Sequence, residues 1–204
     1  MGELHEYTVK GHPKEKIIFW IATIAVVSSP LIARFSNFLL NDKLNLTFNI
    51  TLSASVIYSG LYWLFKSCLW KIKLFEKVFK FPNLNGEYSI EAVSLKNPTG
   101  SEIPWKGKLI IEQTWDKMII TIKTNSSTSY SKSVVGAIRY VNGLHYELYY
   151  YYENNPDASE KELNKHEGLA NLKFNINLQS AEGYYFNNVK ERESYGIMKV
   201  KRGI

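Results

Sequence analysis

The sequence predicts two N-terminal transmembrane α-helices followed by an all-β domain, an eight-stranded antiparallel β-barrel of up-and-down design. Three observations carry this. Ile17–Ala33 and Leu46–Phe65 are seventeen and twenty residues without a charge. From Pro82 onward apolar residues recur with period two, punctuated by Gly, Asn and Pro, as strands and turns require. The charge is also uneven: residues 1–80 carry ten Lys/Arg against five Asp/Glu, residues 81–204 fifteen against fourteen.

Residues 1–16 form a cytoplasmic segment with Lys10, Lys14 and Lys16 close to the first span. Residues 17–65 read as a transmembrane hairpin, because about twenty apolar residues cross a bilayer core and seventeen is near the lower limit. A signal peptide is the alternative for the first stretch, but no A-x-A site follows and a second span comes at once. A buried core helix is the alternative for the second. Against it, Trp20, Tyr62 and Trp63 sit near span ends, where interfacial anchors belong. The intervening loop holds Arg34 and Lys43, whereas Lys66, Lys71, Lys73, Lys77 and Lys80 follow the second span. The positive-inside bias places both termini in the cytoplasm and residues 34–45 outside.

The second span is polar for its kind. Asn49, Ser53, Val56 and Gly60 share one helix face, and Ser55 and Ser59 form a small-xxx-small pair beside it. Small residues let helices approach closely in lipid, and a buried Asn seeks a partner, so this face is expected to mediate membrane assembly. Polar residues merely tolerated near the outer interface are the alternative. Residues 66–81 are expected to extend the second helix as a basic amphipathic connector against anionic headgroups. The single cysteine, Cys68, excludes an internal disulfide and is a palmitoylation candidate.

Residues 82–204 carry strands expected near 86–94, 103–114, 117–125, 128–140, 144–153, 167–178, 182–188 and 195–202. A helical turn is possible at DASEKELNK (157–165). Eight short strands fit a closed barrel of the lipocalin or streptavidin type, which can hold one small ligand; a two-sheet sandwich is the runner-up. The run LYYYYENNP (148–156) divides between faces by strand alternation. Tyr150 and Tyr152 join Leu144, Tyr146 and Leu148; Tyr149 and Tyr151 join His145 and Glu147. Polar positions also sit among apolar ones. One face of 105–115 includes Gln113 between Ile111 and Trp115, and one face of 129–139 reads Ser129, Ser131, Ser133, Val135, Ala137, Arg139. Those serines either face solvent, the favoured reading, or leave room inside.

The near-neutral balance after residue 80 argues against a DNA or RNA polymer as partner, because affinity for a polyanion scales with Lys/Arg contacts. No nucleophile elbow, P-loop, zinc-protease motif or paired-Cys spacing occurs, and His5, His12, His145 and His166 lack ligand-like spacing. The chain is therefore not expected to be an enzyme or to carry a metal or cofactor.

Five segments carry a resemblance: NLNGEYSI (83–90), WKGKLIIEQTWDKMIITIKTNSSTSYS (105–131), LYYYYENNP, HEGLANL (166–172), and the stretch from Gly183 to Gly196. Together with the two spans and basic connector, they resemble the two-transmembrane, β-barrel effectors of CBASS antiphage systems, the CD-NTase-associated effectors. One departure is the stretch from Tyr185 to Arg192, longer than the family's compact turn. The resemblance implies that a cyclase-type nucleotidyltransferase makes a cyclic dinucleotide, which the cytoplasmic barrel binds. Protomers then assemble and disrupt the bacterial inner membrane. It implies a ligand site drawn from Trp115, Ser131, Arg139, Tyr150, Tyr152, Asn154, His166, Tyr185 and Arg192. Tyr150 and Tyr152 would stack bases, Asn154 and His166 would bond base edges or phosphates, and Arg192 and Arg139 would pair with phosphate. Two rivals make different demands: a lipocalin-like carrier of a hydrophobic ligand needs an apolar cavity, and a packed scaffold needs none.

Overall fold

A computed structural model describes residues 3–11, 14–44, 54–96, 100–125, 130–155, 166–187 and 194–203. The chain divides into two units, residues 12–79 and residues 1–11 with 80–204. In the first, α1 (Lys14–Leu44) is followed by α2 (Ala54–Ser67), a 3₁₀ turn at Leu69–Lys71 and α3 (Lys73–Phe79). Among the described residues one helix, over Lys14–Ile32, is long and apolar enough to cross a membrane. Two expectations change here. Residues 34–44 are helix, not loop, so α1 is about 46 Å long at 1.5 Å per residue. The connector does not simply extend α2, which stops at Ser67. The chain turns at Cys68 and resumes as α3, whose Phe75 and Phe79 rings stack at 5.6 Å. Asn49 and Ser53 lie outside the described residues; the hydroxyl of Ser59 donates to the carbonyl of Ser55 within α2.

The second unit is a closed ring of nine strands among the described residues, where the sequence predicts eight. Before the helices comes β1 (His5–Lys10). After them come β2 (Gly86–Lys96), β3 (Ile103–Gln113), β4 (Lys117–Thr124), β5 (Tyr130–Val141), β6 (His145–Asn155), β7 (His166–Asn175), β8 (Ser180–Asn187) and β9 (Ser194–Arg202). Strands β2 to β9 run up and down, and β9 returns to pair with β2. The pairing of β4 with β5 covers only Thr121–Lys123 against Tyr130–Lys132. Beyond it the two strands part, and β1 fills the gap. It runs parallel to β5, with Tyr7 to Lys10 opposite Gly136 to Arg139, and antiparallel to β4 at His5 and Glu6. The sequence assigns residues 1–16 to a segment outside the barrel because six residues before a span are too short to announce a strand. A lone short strand of this kind is stable only through its neighbours.

One end of the ring, where β1 ends and β2 begins, is closed by a packed floor. Trp115 and Phe81 rings lie 4.6 Å apart, and Tyr7 packs on Phe81 at 6.1 Å. Gln113, the polar residue on an apolar face, ties this floor together. Its Nε2 donates to Tyr7 Oη (2.8 Å) and to Pro82 O (3.1 Å), while its Oε1 accepts from Leu84 N–H (2.8 Å). Above the floor Leu109, Ile111, Ile120, Leu148, Leu172 and Phe174 are fully buried, each contributing roughly 1.5–3 kcal/mol.

Candidate functional site

At the other end the interior changes character. Alternation along β6 turns Tyr146, Leu148, Tyr150 and Tyr152 inwards, and all four are buried. The rings of Tyr150 and Tyr152 lie 6.1 Å apart at 49°. The Tyr150 hydroxyl is buried without a hydrogen-bond partner. Burial pushes its ionisation well above the usual tyrosine range, so it stays protonated and can donate. Tyr152, raised likewise by burial and then by Tyr150 and Tyr185, donates to Asn187 Oδ1. Asn187 Nδ2 in turn donates to Ser194 Oγ at 2.7 Å. Tyr185 Oη is hydrogen-bonded to Ser94 Oγ at 2.6 Å and accepts from Trp105 Nε1 at 3.0 Å.

Two strand glycines make room for these rings. A Cβ at Gly168 would lie 2.3 Å from Phe186 O and 2.6 Å from Tyr152 Oη, and one at Gly196 would lie 2.3 Å from Val93 O and 2.8 Å from the Tyr185 ring. Glycine inside a strand marks such close approach. Ser131, Asn154 and His166 fall in one register row at the rim. Asn154 is buried, and the His166 side chain lies outside the described residues, as does Arg192. The mouth thus offers aromatic faces, hydroxyls and amides. Lys123 and Lys132 stand at the same end of the ring but are exposed and alternate with the inward positions. A groove of about 440 Å³ sits elsewhere, near the floor end, lined by Leu144, His145, Lys173, Glu182, Lys199 and Lys201 among others. Its lining mixes charged residues with Leu144, Ala181 and Val200, and none of the tyrosines of the mouth reaches it.

Two sequence-predicted site positions, Trp115 and Arg139, fall away from the mouth, and a third residue, Ser133, departs from its expected exposure. Trp115 is 2 % exposed and belongs to the floor. Arg139 points outwards, because a bulge between Ser133 and Val135 reverses the alternation and separates it from Ser131 and Ser133. There Arg139 Nε donates to Glu147 Oε2 at 2.7 Å. Ser133, expected to face solvent, is buried at the seam: its Oγ accepts from Ile120 N–H at 2.8 Å and is hydrogen-bonded to His5 Nε2 at 2.6 Å. Conversely, Ser94, Trp105, Asn187 and Ser194 join the mouth without having been singled out. Gly168 and Gly196, unexplained inside strands, were the available signal.

Comparison with known proteins agrees with this division. Residues 79–202 match the family model described as Cap15, cyclic dinucleotide receptor domain. Residues 15–71 match the model described as Cap15, TM helices. A CD-NTase-associated protein 15 from Yersinia aleksiciae is 35% identical over 207 residues, covering 97% of each chain. The helical unit and the strand ring are thus matched separately and in order, and the chain belongs to the Cap15 family of CBASS effectors.

Proposed function

We propose that the tyrosine-lined mouth of the ring binds a cyclic dinucleotide, and that binding drives self-association and damage to the inner membrane. The observation that carries the site is the buried, unpartnered Tyr150 hydroxyl beside the Tyr152 ring. A donor left unsatisfied in a dry site costs about 1–3 kcal/mol, which a ligand acceptor relieves. Stacking of each base on an aromatic ring adds about 1–3 kcal/mol. Amides of Asn154 and Asn187 suit base edges better than a hydrophobic cargo. In this reading the chain is a receptor rather than a catalyst, and phosphate is met at the rim, where His166 and Arg192 belong by sequence.

The ring topology supports a two-pass arrangement. Strand β1 precedes the helical unit and β2–β9 follow it, yet all belong to one ring. Residues 12–79 must therefore leave and return on the same side of a bilayer, which needs an even number of crossings. With Lys14–Ile32 as one span, a second crossing falls in the stretch that includes Leu46–Phe65, and both termini stay cytoplasmic. A reporter fused after residue 204 that is active only in the periplasm would sink this.

The binding test is calorimetry of the full chain in detergent against a panel of cyclic dinucleotides. At least one member should bind, and Tyr150→Ala should weaken it by about tenfold to a hundredfold. No heat from any member on a folded sample would leave a packed scaffold as the better reading.

A further inference from the structure

The floor end of the ring is also the end from which the chain runs to its membrane segment. Strand β1 ends there at Lys10 and β2 begins there at Gly86, and residues 15–71 between them match the family's TM helices. Four Cα steps separate Lys10 from Lys14, the first residue of α1. At about 3.6 Å per step or less, they span under about 15 Å, however the two units are arranged. From Lys10 the register crosses β5, β6 and β7 through Arg139 and Glu147 to Lys173. Three strand spacings of about 4.8 Å separate Lys10 from Lys173. The groove of about 440 Å³ that Lys173 lines thus lies at the membrane-connected end of the ring.

This end has two further features. The first is a pair of exposed aliphatic side chains. One step beyond the His145–Asn175 pair, the adjoining turns present Leu144 and Ile176, 70% and 51% exposed. Turns that meet only water favour Gly, Asn, Asp and Ser. Both turns use such residues, at Asn142, Gly143 and Asn177, yet each also lifts one large aliphatic group outwards. The second feature is unpaired positive charge. Elsewhere on the outer face basic residues pair with the carboxylates beside them: Lys106 with Glu91 and Lys108 with Glu87, each at 3.5 Å, and Arg139 with Glu147. Among the described residues Lys173, Lys199 and Lys201 form no ion pair, although Glu182 stands in register between the first two. The groove is left with three lysines against one glutamate.

We propose that the groove and the two turns form a docking surface for anionic lipid headgroups. Lys173, Lys199 and Lys201 meet headgroup phosphate, and Leu144 and Ile176 reach the boundary with the acyl chains. Surfaces that lie on a membrane combine apolar and basic side chains in this way. Each lysine near an anionic surface shifts the balance towards docking about fivefold. No Tyr, Trp or Phe lines the groove, so a second nucleotide would find no ring on which to stack. Docking here holds the mouth away from the bilayer, open to a ligand from solution. The inference goes beyond the receptor reading and uses only the membrane attachment.

The test uses the full chain with Cys68→Ser, carrying an environment-sensitive fluorophore at Gln179→Cys on the β7–β8 turn and inserted in vesicles. Quenching by lipids with a nitroxide on the acyl chain reads contact between the turn and the bilayer. In phosphatidylcholine containing about one-third phosphatidylglycerol, quenching should be severalfold stronger than in phosphatidylcholine alone. Added salt should weaken it. The same label at Glu102→Cys, at the mouth end, should show no difference between the two lipids. Lys199→Gln with Lys201→Gln should shift the docking balance back by about twenty-five-fold. Leu144→Ser with Ile176→Ser should also lower the quenching. Lys106→Gln with Lys108→Gln, whose lysines are already paired, should leave it unchanged. Equal quenching at positions 179 and 102, or equal losses from the two lysine pairs, would overturn the docking surface. Loss of quenching on adding excess inorganic phosphate at constant ionic strength would assign the groove to a soluble anion and overturn it as well. Calorimetry with cyclic dinucleotides on the same variants reads the mouth separately, so either reading can fail alone.

Discussion

The two ends of the ring use polar atoms in opposite ways. At the floor, Gln113 spends both ends of its amide on the protein itself, joining β3 to Tyr7 of β1 and to Pro82 and Leu84 just before β2. At the mouth, Tyr150 buries a hydroxyl and leaves it without a partner. Both groups are buried, and they differ in partners: a saturated group stabilises the fold, whereas one without a protein partner is available to a ligand. Stability should therefore be concentrated at the floor and recognition at the mouth.

The largest expected effect comes from breaking the floor. Trp115→Ala removes a large ring packed at 4.6 Å on Phe81 and should cost about 3–5 kcal/mol of stability, read by denaturant unfolding. Ligand affinity per folded molecule should hardly change. Deleting residues 3–11 should be at least as damaging, since it removes Tyr7 from Gln113 and exposes the edges of β4 and β5. A fragment beginning at residue 81 is thus a poor substitute for the full chain. If either change left stability intact while abolishing binding, the assignment of the two ends would be reversed.

Much of this division was legible in the sequence. Period-two alternation in the tyrosine run fixes which rings point inwards, and the strands fall within a few residues of their expected places. Three features escaped for identifiable reasons. Strand β1 is six residues long and adjoins a membrane segment, so its pairing partners are more than a hundred positions away. The bulge at Ser133–Val135 adds one residue to a strand and reverses every later face, which moved Arg139 from the expected site to the wall. Trp115 shares a face with Trp105, but a strand crosses the whole barrel, and face alone does not say at which end a residue lies.

A change at the mouth sharpens the comparison from the other side. Gly168→Ala places a methyl 2.3 Å from the Phe186 carbonyl oxygen of β8 and 2.6 Å from Tyr152 Oη, so both the neighbouring strand and the ring must move. The expected cost is about 1–3 kcal/mol in stability, with a further loss of ligand affinity because Tyr152 is displaced. Calorimetry should show weaker binding even at temperatures where the variant is fully folded. Unchanged affinity would mean that Tyr152 supports the fold alone.

Tyr150→Phe should act with opposite signs on the two properties. It deletes a buried hydroxyl without a partner, so the unliganded chain should gain about 1 kcal/mol or remain unchanged. The ligand loses a hydrogen bond and should bind about fivefold to tenfold more weakly. Gln113 of the floor cannot behave this way, because both ends of its amide are already bonded within the fold. A clear loss of stability in Tyr150→Phe would show that its hydroxyl is satisfied internally.

The smallest effect concerns neither end but the wall between them, and acid is the way to reach it. Burial alone would raise the Glu147 carboxyl, but hydrogen bonds from Tyr149, His145 and Arg139, and the Arg139 charge, outweigh it and hold the group down at about 2. A carboxylate depressed on folding contributes stability that is complete above its unfolded value, near 4.5, and is lost as pH falls towards 2. Arg139 is nearly half exposed, so the contribution should be under about 1 kcal/mol. Urea unfolding between pH 6 and pH 3 should therefore fall more steeply for the natural chain than for Glu147→Gln, with the two curves converging as the pH drops. Ligand affinity at pH 6 should be the same in both, because Glu147 faces away from the mouth. A Glu147→Gln variant that binds more weakly at pH 6 would tie the outer wall to the site and break the separation of ends.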